Sequence, residues 1–165
     1  MPEATRWFAL AVLVVLLDYI SKIAVLGSFL PGESRVVTSF FNLVLVFNKG
    51  AAFSFLAGAE GWQTLFFAAI AIVASIVISF LIVKSKNKPL FCAALALILG
   101  GALGNLYDRL VYGQVVDFLD FHAAGWHWPA FNVADSAITL GAGILIAESF
   151  VHHPDAEKAA GEKRV

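Results

Sequence analysis

Two short polar runs stand at the edges of otherwise apolar segments, and each carries an aspartate. Gly104-Asn105-Leu106-Tyr107-Asp108-Arg109 is followed by Val115-Val116-Asp117-Phe118, and Phe131-Asn132-Val133-Ala134-Asp135-Ser136 comes soon after. An aspartate at the centre of a membrane helix costs at least ~2.5 kcal/mol, so a carboxylate near membrane depth points to function. Two carboxylates at one site can share a proton and divide acid and base chemistry between them. The run VVDFLDF offers both Asp117 and Asp120 as a partner for Asp135, and spacing alone does not choose.

Asn105, Asp108 and Arg109 are spaced i, i+3, i+4 and share one helical face; Asn132, Asp135 and Ser136 repeat that spacing. The elements that must position them are membrane helices. The chain has 165 residues, 60% hydrophobic and only 14% charged, against ~25% charged in ordinary soluble domains. A spanning helix needs ~20 mostly apolar residues, and four segments qualify: 7–26, 62–83, 90–110 and 132–151. The expected fold is therefore an all-α membrane protein, a four-transmembrane-helix bundle in one domain over 1–152, with a polar cytoplasmic tail at 153–165. The first segment contains Asp18 and Lys22 and lacks a small-residue cleavage motif after it, so it reads as a retained span rather than a leader.

Lys/Arg bias sets the orientation. Arg6, the lysines at 84, 86 and 88, and Lys158, Lys163 and Arg164 fall on one side, and only Arg35, Lys49 and Arg109 on the other. Both termini are thus expected to be cytoplasmic, with outer loops at 27–61 and 111–131 and both polar faces at the outer end. Residues 35–47 are rich in β-branched and aromatic side chains, which favours short strands, broken around Asn42 and ending at Asn48-Lys49-Gly50. A short helix is expected over 51–56, while Asp117 is expected in a loop. Such a small extracytoplasmic sheet should rest on the bilayer interface, with Trp126 and Trp128 in an aromatic belt.

Other polar residues have simpler uses. Asp18 and Lys22, at i and i+4, can neutralise each other as a structural ion pair, with Lys22 also able to reach toward the site. Asp108 and Arg109 can pair locally or organise the outer loop. Glu148 can snorkel to water, and glycines 100, 101 and 104 allow close helix packing. Cys92 is the single cysteine and reads as a small core hydrophobe. The four histidines lack metal-ligand spacing, and a net charge of −1 gives no electrostatic case for nucleic acid. A proton-coupled transporter would use Asp18 or Glu148, but it has no need of long outer loops, and no internal repeat supports it. A serine–lysine mechanism would need Ser136 or Ser21 beside Lys22.

Five stretches together resemble the lipoprotein signal peptidases, or signal peptidase II: Asp18-Tyr19-Ile20-Ser21-Lys22, Phe47-Asn48-Lys49-Gly50-Ala51-Ala52-Phe53, GNLYDR at 104–109, VVDF at 115–118 and FNVADS at 131–136. They stand in the family's order and run from the first helix to the fourth. Tyr19 departs from the glutamine frequent in the family, outside the presumed chemistry. The resemblance implies an aspartyl endopeptidase of the bacterial plasma membrane that needs neither metal nor cofactor. Its implied partners are prolipoprotein signal peptides, cut just before a diacylglyceryl cysteine, together with membrane lipids and the cyclic-peptide inhibitors of the family. By matching motif the catalytic pair falls on Asp117 and Asp135, which resolves the tie with Asp120. Asn48, Asn105, Asp108, Arg109 and Asn132 match the supporting polar shell.

Overall fold

A computed structural model describes residues 3–50, 62–85 and 87–151. Four helices make up most of the described residues: α1 (Glu3–Leu26), α2 (Trp62–Lys84), α3 (Pro89–Tyr112) and α4 (Val133–Val151). All four are long and apolar enough to cross a membrane; a 24-residue helix such as α1 spans roughly 36 Å, beyond the ~30 Å hydrocarbon core. Their outward faces are apolar, with Leu13, Leu16 and Ile20 of α1, Ile76 and Phe80 of α2 and Leu140 and Phe150 of α4 all exposed. In water this would be a defect; in lipid it is the solvated surface.

The most deeply buried helix is α3, and the others pack on it. Pro89 opens it, where a missing N–H costs nothing. Gly113 closes it with φ 71°, its N–H donating to Arg109 O at 3.2 Å. Small residues permit the packing. A Cβ on Gly100 would strike Val14 Cβ at 2.6 Å, and one on Gly141 would strike Ala94 O at 2.6 Å. Below the site, Ala11, Ile78, Ile82, Leu95, Ala96 and Leu99 fill the bundle core.

The remaining segments form one four-stranded antiparallel sheet in the order β1 (Ser34–Thr38), β2 (Phe41–Asn48), β3 (Val115–Ala123) and β4 (Trp126–His127). Val25 of α1, Leu45, Val116 and Phe118 make a second core beneath it. This departs from the sequence reading in two ways. The first hairpin turns at Ser39-Phe40, so Asn42 lies inside β2, where its side chain donates to Asp120 Oδ2 at 2.8 Å. And 115–123, expected as loop, is a strand, because its partner β2 lies far away in sequence with Val46 opposite Asp117. Ala124 and Gly125, with φ 51° and 81°, form the tight β3–β4 turn. The expected helix at 51–56 and the polar tail from 152 onward lie outside the described residues.

Candidate active site

Asp117 sits on β3, one hydrogen bond from Asn132 at the start of α4. Both its oxygens accept hydrogen bonds, Oδ2 from Asn48 Nδ2 at 3.0 Å and Oδ1 from Asn132 Nδ2 at 2.8 Å. Asn48 is itself held by Gly50 N–H on its Oδ1 at 2.8 Å, which leaves its amide nitrogen for Asp117. Asn132 caps α4: its Oδ1 accepts the Asp135 N–H at 2.9 Å. One asparagine therefore ends a helix and touches both aspartates. Asp135, in the first turn of α4, accepts at Oδ1 from Asn105 Nδ2 at 2.7 Å, and Asn132 Nδ2 lies 3.1 Å from Asn105 Oδ1. Two amides thus link the carboxylates from one side.

Burial, and after it the neighbouring Asp135 carboxylate, push the Asp117 carboxyl up to about 7, against the opposing pull of Asn48, Lys22 and Asn132. Asp117 therefore keeps a proton into the neutral range. Close carboxylates with one proton between them are the arrangement that splits water by acid–base action.

Behind the pair lies a buried ionic cluster. Lys22 Nζ is 2.7 Å from both Asp18 Oδ2 and Asp108 Oδ2. Asp108 thus pairs with α1, not with its sequence neighbour Arg109. Arg109 donates Nη1 to Asn105 O at 3.2 Å, lies 5.4 Å from the Phe67 ring centroid, and has no partner for its buried Nε among the described residues. Gly104 leaves the room this requires, since a Cβ there would stand 2.6 Å from Asp18 Oδ2.

Asp120 goes elsewhere. Its carboxylate takes the Asn42 amide at 2.8 Å and lies 2.8 Å from His127 Nδ1. Burial pushes this carboxyl up, but the bonds to Asn42 and His127 outweigh it and hold the group below the usual carboxylate range. Asp120→Asn should therefore keep whatever activity the site carries within about threefold of wild type, the size of a peripheral change; a loss as deep as that of Asp117→Asn would make Asp120 the partner of Asp135. Sequence reasoning missed Asn42 and His127 as partners of Asp120, because their pairing exists only across strands. It also left Ser136 open; its hydroxyl donates to Asn132 O at 2.8 Å and so serves the helix start. Ser21 likewise donates to Asp18 O at 2.8 Å. Among the described residues no group of three or more His, Cys, Asp or Glu is arranged to hold a metal ion.

The family model described as signal peptidase (SPase) II matches residues 10–151. The chain belongs to the signal peptidase II family. The lipoprotein signal peptidase of Ralstonia nicotianae is 59% identical over 142 residues, covering 86% of this chain and 82% of that protein. That of a Janthinobacterium species is 60% identical over 140 residues, covering 85% of each. A bacterial membrane enzyme solved by the in meso method at 2.3 Å resolution superposes with a TM-score of 0.80 at 32% identity, over 92% of this chain and 91% of that one. Signal peptidase II is an aspartic-type protease family, and its known role is the removal of signal peptides from prolipoproteins. The superposition spans nearly the whole of both chains, so the four-helix bundle with its small sheet is the fold of a bacterial membrane enzyme.

Proposed function

We propose that Asp117 and Asp135 are the catalytic pair of this peptidase and that it cuts prolipoproteins immediately before a diacylglyceryl cysteine. The observation that carries this is the pair itself: two aspartates brought from β3 and α4 to one amide-lined site, with Asp117 protonated up to about pH 7. Asp117 then acts as the acid and Asp135 as the base. Asp135 takes a proton from water as the water oxygen attacks the scissile carbonyl carbon. Asp117 donates its proton to the carbonyl oxygen, giving a tetrahedral diol; as the C–N bond breaks, the proton on Asp135 passes to the leaving amine and one diol hydroxyl returns its proton to Asp117 as the product carboxyl forms. Arg109 lies within electrostatic reach of both carboxylates and its Nε has no partner among the described residues, and it supplies a donor for the substrate backbone or the developing oxyanion. Asn48, Asn105, Asp108 and Asn132 keep the two carboxylates in place.

Residues 1–152 form the catalytic domain and 153–165 a cytoplasmic tail. The protein lies in the bacterial inner membrane with both termini cytoplasmic, which the lysines at the far ends of α2 and α3 support. The site then opens at the outer face, among lipids that solvate the acyl chains of the substrate. Each buried CH₂ contributes ~0.8 kcal/mol, so two chains are a strong recognition handle. Cyclic peptides that inhibit the family would fill the same site.

The test is cleavage of a diacylglyceryl precursor and its unlipidated twin by purified enzyme across pH. The lipidated form should be cut and the twin left almost intact. Turnover should fall on the alkaline side as Asp117 loses its proton through about pH 7. Equal cleavage of the twin removes the lipid from recognition, and a rate that stays flat well above neutrality removes Asp117 as the acid.

A further inference from the structure

Lys22 is 2% exposed, and its ammonium has three N–H donors for three acceptors. These are Asp18 Oδ2 at 2.7 Å, Asp108 Oδ2 at 2.7 Å and Asn105 Oδ1 at 3.1 Å. Each acceptor side chain then holds a second group at or beside the catalytic pair. Asp18 Oδ1 accepts from the N–H of Ala134, the residue before Asp135, at 2.9 Å. Asp108 Oδ2 accepts from the N–H of Val116, the residue before Asp117, at 3.0 Å. Asn105 donates directly to Asp135 at 2.7 Å. One arm of the ammonium thus continues to Asp135 itself, and the other two to the backbone immediately before Asp135 and Asp117.

We propose that Lys22 is a positioning residue of the peptidase, whose buried ammonium fixes Asn105, Asp18 and Asp108 so that Asp117 and Asp135 are held in reacting register. This rests on the assignment of those two aspartates as the catalytic pair. The amide of Asn105 shows the physical need. Its oxygen and nitrogen have nearly the same shape, and donors on the oxygen side decide which one faces Asp135. Lys22 supplies one and Asn132 the other. Turned over, Asn105 would point an acceptor at a carboxylate. A role limited to neutralising Asp18 within α1 explains one of the three bonds and none of the onward contacts. The charged groups gathered here are Asp18 and Lys22 of α1, Asp108 and Arg109 of α3, Asp117 of β3 and Asp135 of α4. Among the described residues of this cluster, Lys22 is thus one of two cations beside four carboxyl groups, and it favours the ionised form of Asp117.

The experiment measures kcat, KM and the alkaline midpoint on a diacylglyceryl precursor. Lys22→Met should lower kcat about 100-fold, the size of a misplacement near 1 Å, with KM within about threefold. Its alkaline midpoint should move upward, because a cation no longer loosens the Asp117 proton. Should Lys22→Met fail to fold, Lys22→Met with Asp18→Asn and Asp108→Asn keeps acceptors for Ala134 and Val116 without a buried charge imbalance, and the same fall in kcat is expected. A folded variant of either kind with wild-type kcat overturns the proposal, as does an unmoved midpoint in a folded Lys22→Met. Asp117→Asn is run alongside. If it is inactive while a Lys22 variant is fully active, only the lysine's role is lost; if it is active, the catalytic pair itself is wrong.

Discussion

Asp117→Asn and Asp135→Asn should each lower cleavage of a lipidated precursor by about 10⁴-fold or more, because in the proposed mechanism each removes a whole acid–base role from a pair that works as a unit. The protein should stay folded. In Asp117→Asn the new amide oxygen can still accept from Asn132, at the position where Asp117 accepts at 2.8 Å. The bond from Asn48 is lost, since that amide is pinned by Gly50. Against that loss stands a gain. Asp117 has a folded-state pKa raised from 3.8 to about 7, so between those values the folded protein holds a proton that the unfolded chain has released. Stability therefore falls as pH rises through this window. Asparagine does not ionise and escapes that cost. Thermal denaturation in detergent should show Asp117→Asn at least as stable as wild type at neutral pH, and the stabilities should converge toward pH 4. An inactive mutant that is also clearly destabilised at neutral pH would point to a scaffolding role for Asp117 instead.

The second large effect is expected from a residue with no side chain, at the contact of α3 with α4. Gly101 faces the first turns of α4 so closely that a Cβ would collide with Ala134 O, and would stand 2.7 Å from Ile138 Cγ1. Relief requires α4 to move away from α3, and that turn carries both Asn132 and Asp135. Gly101→Ala should thus cost roughly 1–3 kcal/mol of stability, the usual range for overpacking. It should also cost about 100-fold in turnover through displacement of Asp135. Gly143→Ala is the control, because a Cβ there meets nothing within 4 Å. Similar behaviour of the two variants would show that the α3–α4 contact is looser than its geometry, or unconnected to the chemistry.

The spans were legible because lipid imposes one requirement on every residue in them, and a local window detects it. The polar residues were legible for the opposite reason: Asn105, Asp108 and Asp135 contradict their surroundings. What could not be read was anything fixed by distant pairing. VVDFLDF puts two carboxylates in one short apolar run, and only pairing with β2 reveals a strand. The same pairing separates Asp117 from Asp120, since Asn48 receives one and Asn42 the other. The strand break expected at Asn42 shows the limit of turn propensity. An asparagine that favours turns in isolation is kept in the strand by a buried carboxylate across the sheet. Lys22 read as half of an i, i+4 pair that could also reach toward the site; which groups it reaches, Asp108 and Asn105 of α3, was not readable, because they are distant in sequence.

That intrahelical half has a meaning of its own during synthesis. The ribosome delivers Lys22 83 residues before Asn105, so α1 must enter the bilayer while its later partners do not yet exist. Asp18, one turn away on the same helix and 2.7 Å distant in the finished fold, lets the pair travel as a self-neutralised unit. Only when α3 arrives does the lysine add Asp108 and Asn105 to the partner it already has.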